Sequence, residues 1–260
     1  MRAYLTTEFK RAFGSPYFVL SLLICLGIYA VGEGYLGWVN IILYPSATWV
    51  HEHNGFMMEF NPFRSLLPFP AALAAGHLLV DDWRHRNLYF QISRSNFSSF
   101  CFIKFMVPCV MGGIVLGISV LCYLGLMASF VPAFDDSTDY EPFVESFLLN
   151  GQWGLYFLYF GSLQFLLGAA CAGISCATAT LTDRKSVVCL IPMLSFAMLE
   201  IITNITIVGL SGGQSAIVFR LQDQSALHVY CVIAGILLAL ISGTYVAFRM
   251  LLRKRVFIWQ

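Results

Sequence analysis

The sequence predicts an all-α membrane protein of six transmembrane helices, with an amphipathic amino-terminal helix at the membrane interface and a polar, partly helical connection between spans two and three. Three observations predict it. The chain is 58% hydrophobic and only 11% charged over 260 residues, outside the composition of ordinary soluble domains. Several apolar runs reach the roughly 20 residues that cross a bilayer as a helix. The basic residues also gather in alternate connections, as they do on the cytoplasmic side of multi-pass proteins. One membrane domain over residues 1–260 accounts for the length. A net charge of +1 gives no reason to expect a nucleic-acid partner. The eight cysteines lie in or beside apolar runs with no CxxC pair, which predicts buried small hydrophobes rather than disulfides.

Residues 1–15 place Leu5, Phe9, Ala12 and Phe13 on one helical face, with Lys10 and Arg11 off it. This predicts a short helix lying in the interface, not a cleaved leader, since no small-residue cleavage site follows. The first span is expected at about 17–36, entered through Pro16, and aromatic Trp38, Tyr44 and Trp49 follow at headgroup level. His51, Glu52, His53 and Glu59 in the next loop lack the HExxH spacing that puts two ligands on one helix face. No metal is expected there. The second span, about 63–80, carries Pro68 and Pro70, which should kink it or leave it partly irregular where protein surrounds it. The third, about 105–131, contains Gly113-Ile-Val-Leu-Gly117, a spacing that lets two helix backbones approach.

An acidic loop follows, with Asp135, Asp136, Asp139, Glu141 and Glu145. The fourth span, about 154–181, has small residues at Gly168, Ala169, Ala172 and Gly173. Asp183, Arg184 and Lys185 form a tight polar turn. The fifth span, about 186–210, carries Pro192 and the carboxylate Glu200, with Thr203 and Asn204 as its neighbours at i+3 and i+4. An acid at that depth is costly and should not face lipid. Residues 211–227 form an outer segment, and the last span, about 228–248, ends in Arg249, Arg253, Lys254 and Arg255. With both termini in the cytoplasm, thirteen of the fifteen basic residues lie inside; only Arg64 and Arg220 fall outside.

Residues 81–104, DDWRHRNLYFQISRSNFSSFCFIK, then become a cytoplasmic connection long enough to fold. Leu88, Tyr89, Phe90 and Ile92 are apolar where water should select polar residues. A groove on a soluble partner would bury them; packing on the membrane surface is the alternative. Arg84, Arg86 and Arg94 would pair with acids of that partner or with anionic headgroups. Ser95 is a candidate cap for the helix that continues into span three. Catalytic signatures point nowhere: there is no GxxxxGK[ST], GxSxG or HExxH sequence, and Glu33, His77 and Glu200 fall in different spans.

The layout resembles the permease subunits of ABC type-2 exporters over essentially the full chain. Its most specific local match is Ile92-Ser93-Arg94-Ser95 with Lys104 downstream, where Lys104 comes about one turn later than in the family pattern. The resemblance implies that residues 81–104 hold a coupling helix, with Arg84, Arg86, Leu88, Tyr89, Phe90, Ile92 and Arg94, joined by Asp183, Arg184 and Lys185, facing an ABC ATPase. It implies two permeases, identical or related, with two ATPases that carry the ATP and Mg, so that this chain binds no cofactor and is not itself an enzyme. Glu200, Thr203 and Asn204 would then lie on the route between two permeases in the plasma membrane. An intramembrane enzyme and a membrane subunit of another energised transporter are the alternative functions, and the cargo stays open.

Overall fold

The computed structural model describes residues 2–32, 64–85, 88, 91–92, 96–130, 150–206 and 226–258. These residues form helices and turns, with no strand among them. In chain order the helices are α1 (Arg2–Phe13), α2 (Pro16–Gly32), a 3₁₀ turn (Arg64–Leu66), α3 (Pro68–Ala75), α4 (His77–Arg84), α5 (Phe97–Phe130), α6 (Trp153–Ala179), α7 (Lys185–Thr206) and α8 (Ala226–Ile258). Three helices, α5, α6 and α8, are each long and apolar enough to cross a membrane, and α1 with α2 would make a fourth if that bent pair is one span. These helices fit a membrane location.

The bend between α1 and α2 is 54°. Proline has no N–H and disfavours helical dihedrals at the residue before it, so the chain must break at Ser15 and can restart at Pro16. Ser15 assists the restart by accepting the backbone N–H of Tyr17 at 3.3 Å. The segment expected as the second span divides elsewhere than the sequence suggested. Pro68 and Pro70 sit in the first turn of α3, where a missing N–H removes no helical bond, so they start a helix instead of kinking one. The division falls at Gly76, which keeps helical dihedrals (φ −60°, ψ −29°) and still donates to Ala72 O. This glycine lies against Ser175 of α6 with no room for a Cβ. Both short helices are largely buried, so they form the inside of the bundle.

α5 begins eight residues before the expected start of span three and runs for 34 residues, about 50 Å at 1.5 Å per residue. That exceeds the ~30 Å hydrocarbon layer, so an untilted α5 extends beyond it. Asn96 caps it, accepting the Ser98 N–H at 3.1 Å; the expected cap, Ser95, lies outside the described residues. The fourth span matches α6 closely, entered through Gly151, whose φ of +71° suits a residue without Cβ. α8 does not stop before its basic residues but carries them as helix to Ile258.

α6 is the central helix, packed most extensively on α5 and next on α8. Small residues set the α5–α6 approach. A Cβ on Gly112 would come within 2.7 Å of Gly168 O and of the Ala172 methyl, and one on Gly168 would strike Gly112 O. The expected pair also lies in this seam, Gly113 against Phe165 and Gly117 beside Gly161 O, but the tightest crossing is one residue earlier, at Gly112. Two apolar clusters fill the rest. The larger includes Tyr29, Met111, Tyr123 and Tyr156; the smaller holds Leu79, Val80, Leu88, Phe100, Phe105, Phe248 and Leu252. All eight cysteines are free thiols, six of them buried. α1 is docked on the bundle: Ala12 is fully buried, while Phe13, expected on the apolar face, is 47% exposed.

Replacing Gly168 by leucine should therefore force α5 and α6 apart. Overpacking a tight seam costs about 1–3 kcal/mol or more, read as a lower melting temperature of the detergent-purified protein, while Gly27→Ala, with open space around its Cβ position, should leave that temperature nearly unchanged.

Candidate functional site

Charged side chains converge at one end of the bundle, and Lys104 is their centre. Residue 104 lies two turns into α5, on the side that meets α1 and α4. Its ammonium donates to Glu8 Oε1 at 2.8 Å and to Asp82 Oδ2 at 2.5 Å. The three side chains are 3%, 6% and 0% exposed. Asp82 takes a second cation, Arg11 Nη1, at 2.6 Å. Two carboxylates and two cations thus neutralise each other where α1, α4 and α5 meet. The rings of Tyr4 and Phe100, stacked at 6.3 Å, lie 5.7 and 5.9 Å from Lys104 Nζ, within cation–π range. Burial, reinforced by the Glu8 and Asp82 carboxylates, pushes the Tyr4 phenol up, so it stays a donor, and it donates to Gln91 Oε1 at 3.1 Å.

Beside this cluster, Asp183 anchors a second junction. Arg255 of α8 meets Asp183 Oδ1 at 2.5 Å, donates to the carbonyls of Ala179 and Thr180 at 3.3 and 3.0 Å, and lies 4.2 Å from the Trp83 ring centre. Those carbonyls are left over at the end of α6, where a cation is favoured by the helix dipole. Arg84 donates to Asp183 O at 3.0 Å. Lys185, at the start of α7, meets Asp81 at 2.6 Å and lies 5.7 Å from the Tyr17 ring centre. Ser175 Oγ donates to Val188 O at 3.1 Å, holding the turn between α6 and α7 from within. Arg249 of α8 donates to Ser98 Oγ at 3.0 Å.

The residues predicted from sequence divide accordingly. Arg84, Asp183 and Lys185 are brought together in one junction, and Arg184, exposed, stands beside it with its backbone N–H on Thr182 Oγ1. Leu88 is completely buried in this chain's own smaller cluster, and Ile92 is half-buried against the same cluster. Leu88 therefore serves the fold internally instead of presenting a free side chain. Arg86, Tyr89, Phe90 and Arg94 lie outside the described residues, as do His51, Glu52, His53, Glu59 and the acidic loop. Glu200, Thr203 and Asn204 belong to helix α7, but their side chains are outside the described part. His77 is buried: its Nδ1 faces Leu73 O at 3.2 Å and its Nε2 faces Ser15 Oγ at 3.4 Å. The carbonyl makes Nδ1 the donor, so Nε2 accepts from the serine.

Sequence reading missed Tyr4, Glu8, Arg11, Asp81, Asp82 and Arg255. A signal existed for α1. Positions 4, 8 and 11 share a helical face, so Tyr4, Glu8 and Arg11 form a polar stripe beside the apolar one.

The cluster makes a sharp energetic prediction. Lys104→Met removes the cation shared by two buried carboxylates, leaving Glu8 without it and Asp82 with Arg11 alone, and breaking a buried ion pair from one side costs about 3–5 kcal/mol. Adding Glu8→Gln removes one of those charges and leaves Asp82 with Arg11. The double variant should therefore melt above Lys104→Met alone. A double variant no more stable than the single one would mean that Glu8 and Lys104 do not interact.

No family model matches this chain, and no curated protein or solved structure matches it, so its function has to be read from the residues gathered at the basic end of its bundle.

Proposed function

We propose that this chain is the membrane-spanning permease subunit of an ATP-driven exporter of the ABC type-2 kind. One observation carries the reading most: the stretch from Asp81 to Lys104 is bonded to α1, α7 and α8 and to the turn between α6 and α7. Asp82 and Lys104 reach α1, Asp81 reaches α7, Arg84 reaches the turn before α7, and Ser98 reaches α8. Gln91 adds a third bond to α1. A stretch bonded in this way passes any displacement imposed on it to the membrane helices together. A separate ATPase, carrying the ATP and Mg, supplies that displacement by binding and releasing nucleotide.

In this reading six spans put both termini and residues 81–104 in the cytoplasm, and a second permease copy, identical or related, completes the route. Glu200, Thr203 and Asn204 line it. Arg86, Tyr89, Phe90 and Arg94 meet the ATPase in this reading, whereas Leu88 is committed to the chain's own core.

Topology is tested by single-cysteine labelling in intact cells with an impermeant maleimide. A cysteine at position 139 should label and one at position 94 should not; labelling at 94 alone reverses the orientation. Coupling is tested by affinity purification from the native membrane. An ABC ATPase should be recovered with the wild-type chain, and Tyr89→Asp with Phe90→Asp should lower that recovery by at least about tenfold, since a buried charge in place of apolar contact costs several kcal/mol. Wild-type chain that carries no ATPase sinks the exporter reading. Undiminished recovery with the double variant sinks the docking role.

A further inference from the structure

Ten basic and four acidic side chains are described at this end of the bundle. All four acids are spent inside the fold: Glu8 on Lys104, Asp82 on Lys104 and Arg11, Asp81 on Lys185, and Asp183 on Arg255. The described surface of this end is thus strongly positive. On α8 it borders exposed apolar surface directly. Val246 and Met250 are 52% and 57% exposed, and one turn further the exposed residues on that face are Arg253 and Lys254. Only 22% of the most apolar window of α8 is buried inside the bundle, against 67% for α5 and 61% for α6.

A seam runs between α8 and the start of α5. At its charged end the exposed Arg249 donates to the exposed Ser98. That bond uses one of the five donors of a guanidinium. Toward the apolar side, Phe102 is 45% exposed and meets the half-buried Tyr245 edge-on at 6.4 Å. Aromatic and aliphatic surface therefore continues directly into guanidinium, ammonium and hydroxyl donors.

We infer that this seam is a binding site for an anionic phospholipid. The phosphate sits on Arg249 with Ser98, and Arg253 and Lys254 add positive potential. An acyl chain lies along Phe102 and Val246. Charge complementarity selects an anionic lipid over a zwitterionic one, because each basic residue near the bilayer surface favours the anionic lipid about fivefold. The bond to Ser98 fixes Arg249 in the seam, where a side chain that merely snorkels to the headgroups would stay unfixed. The inference rests on the bundle crossing a bilayer and is independent of any pairing with an ATPase.

The test uses full-length protein in a neutral detergent without ATPase, titrated with dioleoyl phosphatidylglycerol or dioleoyl phosphatidylcholine and followed by native mass spectrometry. Phosphatidylglycerol should be retained preferentially. Arg249→Gln with Arg253→Gln should weaken its binding roughly tenfold or more, whereas Lys10→Gln, on α1, should leave it unchanged. Equal retention of the two lipids, or undiminished phosphatidylglycerol binding by the double variant, overturns the proposal. Glycerol phosphate, a headgroup without chains, should compete poorly; competition equal to that of the lipid would make this a simple anion site and also overturn it. Should the double variant not purify as folded protein, a photoactivatable phosphatidylglycerol on the wild type decides. Crosslinks at Phe102 or Tyr245 support the site, and crosslinks confined to other helices refute it.

Discussion

The ammonium of Lys104 is the constraint on which the basic end of this bundle depends. A cation withdrawn from water this completely is tolerable only with its counter-charges in place. Those counter-charges come from two segments far away in sequence, Glu8 in α1 and Asp82 at the end of α4. Each carboxylate is as intolerant of isolation as the lysine. The consequence is all-or-none: α1 must dock, α4 must reach its last turn, and α5 must begin early enough to bring residue 104 between them. Apolar packing alone would not impose this, because hydrophobic contact is non-directional and accommodates small slips. The ion pairs fix register as well as proximity.

Around that centre the mechanical properties differ along the bundle. In the middle, Gly112 and Gly168 bring two backbones into direct contact, which leaves little side-chain volume to rearrange. At the basic end, Arg255 spans the end of α6, the Asp183 turn and Trp83 of α4. Lys185 ties the same α4 to α7. α4, α7, the end of α6 and the end of α8 are therefore linked by directional contacts, whereas the rest of α8 is peripheral. Motion at this end is expected to take the form of a concerted shift of α1, α4 and α7 with the start of α5 and the end of α8, because moving any one of them alone breaks a charged contact.

Much of the fold was legible because composition and hydrophobic run length are strong signals. The apolar runs located α2, α5, α6, α7 and α8, and Pro16 and Asp183 marked real breaks. Boundaries failed where a helix continued past the bilayer thickness. Polar residues at 97–104 and 249–258 read as ends of spans, yet an α-helix has no reason to stop at the membrane surface if capping or packing continues beyond it. Asn96 and Arg249 supply both for α5 and α8. Pro68 and Pro70 misled for a related reason: proline is disruptive only inside a helix, and the sequence does not say that these two begin one. The polar stretch stood out plainly, but its partners did not. Pairings such as Glu8 with Lys104, or Arg255 with Asp183, join residues on different helices, and no local spacing encodes them. Tyr4, Glu8 and Arg11 were visible as a stripe only once a binding partner for that stripe was in view.

The same pairings explain why the apolar residues of the polar stretch cannot be treated as one surface. Leu88 and Gln91 are close in sequence but answer to different elements, Leu88 to the core beneath it and Gln91 to Tyr4 of α1. A segment held at Leu88 and Gln91 in this way is anchored to the bundle before anything docks on it. An outside partner then needs no affinity to order the segment, which lowers the entropic cost of association. Asp82 and Lys104, near the two ends of the stretch, are themselves bonded to α1, so force that reaches either of them is passed to that helix. A connection built only to join two spans would need neither property. That this one has both, through charged groups expensive to bury, is the physical reason for reading it as the place where the membrane helices are driven.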